Sequence, residues 1–196
     1  MGGRTDATNL IQKPVCSVIT SVSMDHMQFL GSTLSEIAYA KAGIIKKDCP
    51  VVTTMQKEAA MEVIKAEAEK QHAKLFISDT SKVTGEKDSI REIQFAYPGI
   101  GTVTTHLTGA YQVENACLAI KVLKEVLKIA DQTIIRGIEK TVWPGRFEIV
   151  GEKPLFIIDG AHNEDAAFKL RQTVENYFTN IPITYIIGVL ADTEHG

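Results

Sequence analysis

The chain has 196 residues, 44% hydrophobic and 23% charged, with a formal net charge of −3. That balance suits a soluble globular protein of one large domain or one and a half average ones, and it excludes the broad basic field on which nucleic-acid binding relies. No apolar run approaches the roughly 18 residues that cross a bilayer, and the Gly-rich polar start is not a signal peptide.

The opening Met1-Gly2-Gly3-Arg4 is turn-like, with no element before it. Residues 15–20 read as a strand rich in β-branched side chains, followed by the polar Ser21-Val22-Ser23-Met24-Asp25-His26. Thr33 with Glu36 three positions on predicts a capping box, opening a helix through Ile37, Ala38 and Lys41 that stops near Gly43. A strand over 50–54, an amphipathic helix over 58–72 and a strand over 75–78 come next. The pattern then changes. Residues 92–97 and 102–107 alternate on either side of Pro98-Gly99-Ile100-Gly101, which predicts an antiparallel pair. Helices are expected over 112–128 and 131–140.

Trp143-Pro144-Gly145-Arg146-Phe147 breaks the helical pattern and forms a natural boundary. Residues 147–150 and 155–158 then read as strands of a new β–α–β run. The second of these is an unalternating apolar run, expected to be covered on both faces. Asp159 follows at its carboxyl end, where open α/β sheets place ligands. Asn163 is a good helix cap, and Ala167, Leu170, Val174 and Phe178 recur behind it at helical spacing. An apolar strand is expected just before the end of the chain, where an α/β protein would normally continue into a helix. Both ends are abrupt, as expected for a piece of a longer protein. The fold class is α/β, with a mostly parallel sheet flanked by helices and an antiparallel extension.

Cys16, Cys49 and Cys117 form no CxxC pair. An odd set of dispersed thiols fits buried structural cysteines in a reducing cytoplasm better than a disulfide scaffold or zinc site. The residues with chemical content are Asp25 and His26, Lys41, Arg146, and Asp159 with His162 and Asn163. Lys41 lies in unusually apolar surroundings. It could interact with a helix dipole or snorkel to water. Desolvated, it could instead act as a neutral amine or take up carbon dioxide as a carbamate. Arg146 could be a surface arginine, or its forked donors could recognise phosphate. None of these signals is specific alone.

Their combination is specific. The motifs are Gly2-Gly3-Arg4-Thr5-Asp6-Ala7-Thr8-Asn9, then Met24-Asp25-His26-Met27-Gln28-Phe29-Leu30-Gly31, then Lys41-Ala42-Gly43-Ile44-Ile45-Lys46. Later come Leu107-Thr108-Gly109-Ala110-Tyr111-Gln112-Val113-Glu114-Asn115, Trp143-Pro144-Gly145-Arg146-Phe147-Glu148 and Asp159-Gly160-Ala161-His162-Asn163. In order and kind these resemble the folylpolyglutamate synthase and dihydrofolate synthase family, within the Mur ligase superfamily.

The resemblance implies an ATP-dependent amide ligase. Such enzymes make an acyl phosphate from a folate or dihydropteroate carboxylate, and the amine of L-glutamate then attacks it. It implies a partial central ATPase domain over 1–144 and the start of a C-terminal α/β domain over 145–196. By the same resemblance Thr5, Asp6 and Ala7 touch the pteroate or folate substrate. His26 is a ligand of Mg²⁺, and Lys41 is catalytic and, carbamylated, bridges to that metal. Asn115, Arg146 and Asp159 contact ATP, and His162 belongs to the active-site cleft. The parent protein would be a cytoplasmic monomer taking small-molecule substrates, with no nucleic-acid or membrane partner.

Three departures stand out. No GxxxxGK[ST] phosphate loop occurs, so this polypeptide alone is expected to be inactive. The family's metal-binding glutamate would precede Gly2. Ala110 and Tyr111 replace a GxHQ pattern, so a histidine is absent there. The alternatives are a Mur-type or cyanophycin-type ligase with another acceptor, and a non-catalytic binding module derived from the family. A nicotinamide enzyme is disfavoured, because no GxGxxG follows a predicted strand.

Overall fold

The structure, a computed structural model, describes residues 3–4, 6–24 and 30–188. Strands β1 (Ser17–Ile19), β2 (Val51–Thr54) and β3 (Leu75–Ser78) lie side by side and parallel, in the order β1-β2-β3. Parallel neighbours need crossovers, and α1 (Leu34–Ala42) and α2 (Glu58–Lys70) lie in the two connections. The predicted capping box opens α1: the Thr33 hydroxyl accepts from the Glu36 amide, and Glu36 accepts from the Thr33 amide at 3.0 Å. All four residues of β2 are buried, as befits a strand covered on both faces. Ile37, Ala38 and Ala42 of α1 meet Ile64 and Ala68 of α2 over Ile19 and Val51 in a first core.

A second core lies on an antiparallel sheet of β4 (Thr84–Asp88), β5 (Ile93–Tyr97) and β6 (Gly101–Thr105). Ile93 and Phe95 project from one face of β5, and Phe95 pairs with Val103 of β6. That face is covered by Ala116, Cys117 and Ile120 of α3 (Gln112–Lys121) and by Ile134 and Ile138 of α4 (Asp131–Glu139). Helix α3 also packs on β2 and β3, so it joins the two sheets. It continues through a π-turn over Val122–Val126, so the predicted helix to 128 is one path with two hydrogen-bond patterns. Beyond α4, β7 (Glu148–Glu152) and β8 (Leu155–Ile158) pair antiparallel and lead into α5 (Glu164–Tyr177).

The α/β class with a parallel sheet and flanking helices is observed. The antiparallel strands form sheets of their own rather than an extension of the parallel one. Strand β4 escaped prediction because Thr-Gly-Glu-Lys-Asp has no apolar alternation, and all five residues are exposed. Strand β8 is not covered on both faces. It belongs to a two-stranded ribbon, and Leu155, Phe156 and Ile158 are 43%, 46% and 45% exposed. Apolar composition reveals strand propensity but not whether a second layer covers the strand. Residues 181–188 hold no regular structure where a strand was expected. High β propensity there finds no partner among the described residues, and propensity without pairing does not make a strand. Among the described residues no helix is long and apolar enough to cross a membrane.

Candidate functional site

The predicted residues fall into two groups. Thr5, Asp25 and His26 lie outside the described residues.

The first group surrounds the end of α1. Gly3 and Arg4 run against this end, and the Arg4 amide donates to the Ala40 carbonyl at 3.1 Å. A Cβ on Gly3 would stand 2.4 Å from the Lys41 carbonyl, so only glycine lets the chains approach this closely. Asp6 precedes a single 3-10 turn, Ala7–Leu10, whose Asn9 carbonyl accepts from Lys46 at 2.9 Å. Arg4 is fixed twice more. Its guanidinium pairs with Glu67 of α2 at 3.1 Å and lies 3.9 Å from the centre of the Tyr39 ring. Glu67 is only 7% exposed and also accepts from Gln71 at 2.9 Å, so a buried carboxylate has two partners. Sequence periodicity did not single out Glu67; a charged residue on the apolar face of α2 was the available signal. Lys41 is half-buried beside these residues. The structure thus sets the segments on either side of Asp6 and Ala7 against the end of α1 and Lys46, with Gly3 touching the Lys41 backbone.

The second group is built from two turns and a helix start. At the end of β8 the Asp159 carboxylate accepts the Ala161 amide at 2.8 Å and the Phe147 amide at 2.9 Å. The Gly160 amide donates to the Gly145 carbonyl at 2.8 Å. Asp159 therefore clips the 145–147 turn to the 159–161 turn. Gly145 adopts φ 74° and donates to Glu148 at 2.7 Å. Phe147 also lies in the left-handed region, at φ 47°, although it is not glycine. Such a conformation costs of order 1–2 kcal/mol, offset here by its amide bond to Asp159 and by its buried ring.

Between these turns Arg146 lies close enough to Tyr111 for its charge to act on the phenol. Tyr111 is the residue before α3, and the Asn115 amide donates back to its carbonyl at 3.1 Å. Burial raises the Tyr111 pKa first, and the Asp159 charge raises it further; Arg146 opposes both. Arg146, Asp159 and Tyr111 are thus electrostatically coupled beside the N-terminal turn of a helix. Asn115 is exposed on that turn, with its side chain donating to Gln112 at 3.2 Å. His162 is exposed, and its Nδ1 lies 2.8 Å from the Gly160 carbonyl. As a donor there, Nδ1 carries the proton and leaves Nε2 free to accept. Asn163 caps α5 as expected, accepting from Ala166 at 2.8 Å. Tyr111 was noticed in the sequence only as a replacement for histidine; an aromatic directly before a helix start was the signal.

A cavity of about 210 Å³ opens beside Arg146, lined by His106, Thr108, Trp143 and Glu148 among others. Among the described residues no group of three or more His, Cys, Asp or Glu side chains could hold a metal ion.

Comparison with known proteins identifies the family. The family model of the Mur ligase middle domain matches residues 3–123. The chain belongs to the Mur ligase family. The dihydrofolate synthase/folylpolyglutamate synthase of Bacillus subtilis is 37% identical over 205 residues, covering 98% of this chain and 47% of that protein. A solved mutant of Lacticaseibacillus casei FPGS superposes with a TM-score of 0.83 at 34% identity, covering 98% of this chain and 49% of the other. An FPGS–AMPPCP–folate complex gives 0.81 at 33% identity, covering 92% and 46%. This Mur ligase chain spans about half the length of the curated relatives it matches.

Proposed function

We propose that this chain forms part of a folylpolyglutamate synthase-type ligase, which adds L-glutamate to a folate or dihydropteroate carboxylate through an acyl phosphate made from ATP. The observation that carries the reading is the clip of the 145–147 turn to the 159–161 turn through Asp159, which sets Arg146 near Tyr111 at the start of α3. A guanidinium beside free helix N–H groups suits an anion with several oxygens, such as the phosphates of ATP. Asn115 and Asp159 would contact the same nucleotide, and His162 would line the cleft with Nε2 available to accept a proton or hydrogen bond. The 145–163 segment would begin a second domain, with the boundary at 144/145. Closing it on the first would bring Arg146 toward the transferring phosphoryl group, where developing negative charge needs compensation. Relatives solved with AMPPCP, and with AMPPCP and folate, support this choice of ligands.

At the other group, Asp6 and Ala7, with Thr5, would hold the pteroate end of the substrate. Mg²⁺ would be the metal, with His26 and a carbamylated Lys41 as ligands. A carbamate would turn the amine into a hard oxygen donor. The described residues do not by themselves assemble a metal site, so this assignment rests on family resemblance. Incubating the protein with ¹³C-bicarbonate should give a carbamate carbon resonance that disappears in Lys41→Ala. The same reading takes the parent ligase to be a cytoplasmic monomer acting on small molecules; the three unpaired cysteines suit a reducing compartment.

The test is a chimera in which this chain replaces the matched half of the B. subtilis relative. With folate, glutamate and ATP it should release phosphate and form glutamylated folate. Arg146→Ala should lower kcat by about 100-fold, the size of effect seen when one transition-state donor is removed. A chimera that melts cooperatively yet yields no glutamylated product would refute the assignment, as would an Arg146→Ala chimera with undiminished kcat.

A further inference from the structure

The deepest residue of α5 is a threonine. Thr173 is 1% exposed and is the helix's one buried residue. Its hydroxyl donates to the Lys169 carbonyl at 2.8 Å and accepts the Ala110 amide at 3.1 Å, 63 positions away. One turn later the Tyr177 hydroxyl donates to Asp88 of β4. The Tyr177 ring lies 5.8 Å from that of Phe147. Gly109 has φ 119°, and a Cβ there would stand 3.4 Å from Thr173 Oγ1. The turn at 108–111 is therefore shaped to receive α5.

The same turn is held from its other side. The Thr108 hydroxyl donates to the Ile90 carbonyl at 3.2 Å, and the Gln112 amide donates to the Gly109 carbonyl at 3.0 Å. It ends in Tyr111, whose phenol feels the Arg146 charge. At its other end α5 is capped by Asn163, four residues beyond Asp159. The block from Gly145 to Tyr177 thus meets this region at two places. Arg146 and Thr108 line one cavity, and at the other Thr173 bonds Ala110 of the turn while Tyr177 bonds Asp88 of β4. Directional hydrogen bonds fix a docking register in a way that an apolar face, free to slide, does not.

We infer that Thr173 and Tyr177 are positioning residues: a polar lock that docks α5 on the 108–111 turn through Thr173 and on β4 through Tyr177, and so sets Arg146 and Asp159 near the start of α3. The inference rests on the proposed ATP site for its consequence in catalysis, but not for its geometry. The lock touches none of the residues assigned to ATP, so it would act on nucleotide binding only through placement.

The test uses amide hydrogen exchange on the 196-residue chain, followed by NMR. Thr173→Val keeps the shape and removes the hydroxyl; Tyr177→Phe keeps the ring and removes the donor. Each should speed exchange at Phe147, Gly160 and Ala161 by about tenfold or more, while β1–β3 amides keep their protection. Thr173→Ser, which retains the hydroxyl, should restore most of it. Faster exchange confined to Ala110, or a uniform loss across the chain in both variants, overturns the inference. In the B. subtilis chimera the same variants should raise KM for ATP about tenfold and change KM for folate less than about twofold. An inactive parent chimera would count against the proposed function and leave the exchange result on the lock standing.

Discussion

Asp159→Ala separates two roles that the carboxylate could play. As a ligand contact alone, it would matter only when nucleotide is present. As the clip between two turns, it should matter to the free protein. The structure gives it two amide partners, Phe147 at 2.9 Å and Ala161 at 2.8 Å. Hydrogen bonds to an ionised group contribute about 1.5–3 kcal/mol each. The site is half-exposed, so water replaces part of what is lost. A net loss of about 2 kcal/mol follows, most of it from the Phe147 amide. Phe147 is held in a left-handed conformation at φ 47° and should relax once its amide loses its acceptor.

For a chain of this size that loss lowers Tm by roughly 4–8 °C. Thermal unfolding followed by circular dichroism measures it, and exchange at Phe147 and Ala161 locates it. Asp159→Asn should fall between wild type and alanine, since one carbonyl oxygen can still accept but the new NH₂ opposes the second amide. An Asp159→Ala protein with unchanged Tm and unchanged exchange at both amides would refute the clip.

Asn163→Ala removes the acceptor that caps α5; it should cost about 1 kcal/mol, seen as faster exchange in the first turn of that helix. Glu67→Ala strands Arg4 and Gln71. Because Arg4 is partly exposed the cost should be about 2 kcal/mol rather than that of a fully buried pair, read from the urea midpoint. Burial pushes the Cys117 thiol up to about 12, helped by the charges of Glu114 and Glu86, and the Tyr97 phenol to about 12. Both folded values lie above those of the unfolded chain, so at alkaline pH the folded state holds protons that the unfolded state has released. Their contribution to stability is complete below the unfolded thiol value near 9.0 and is lost as pH rises toward 12. Urea midpoints should fall from pH 8.5 to 11, less steeply in Cys117→Ala; an equal slope would refute the assignment.

Much of this was legible in the sequence wherever a local pattern has a local cause. The Thr33–Glu36 capping box and the Asn163 cap are three-residue devices, and both form as read. Helices α2, α3 and α4 follow apolar periodicity, because each buries one face in a core. What the sequence hid depends on partners distant in the chain. Strand β4 has no apolar face to betray it and exists through pairing with β5. The exposure of β8 follows from what stacks on it, not from its composition. Glu67 looked like a misplaced charge until Arg4, 63 positions earlier, met it. Tyr111 and Arg146 are 35 positions apart, and no spacing rule couples them.

The arrangement around Arg146 has a chemical logic that sets it apart from three of the chain's four other arginines. Arg4, Arg91 and Arg171 each meet a carboxylate, at 3.1, 2.9 and 2.8 Å. Arg146 also has a carboxylate close by, yet both oxygens of Asp159 are turned to backbone amides. Near it is instead the Tyr111 phenol, whose pKa is raised by burial and by the Asp159 charge and which stays neutral at physiological pH. A neutral phenol beside a guanidinium does not cancel its charge. Under the proposed function that charge would be left available to an incoming anion, as preorganised stabilisation of a transferring phosphoryl group requires. A histidine at position 111 would add a titrating charge beside Arg146 near neutral pH, which tyrosine does not.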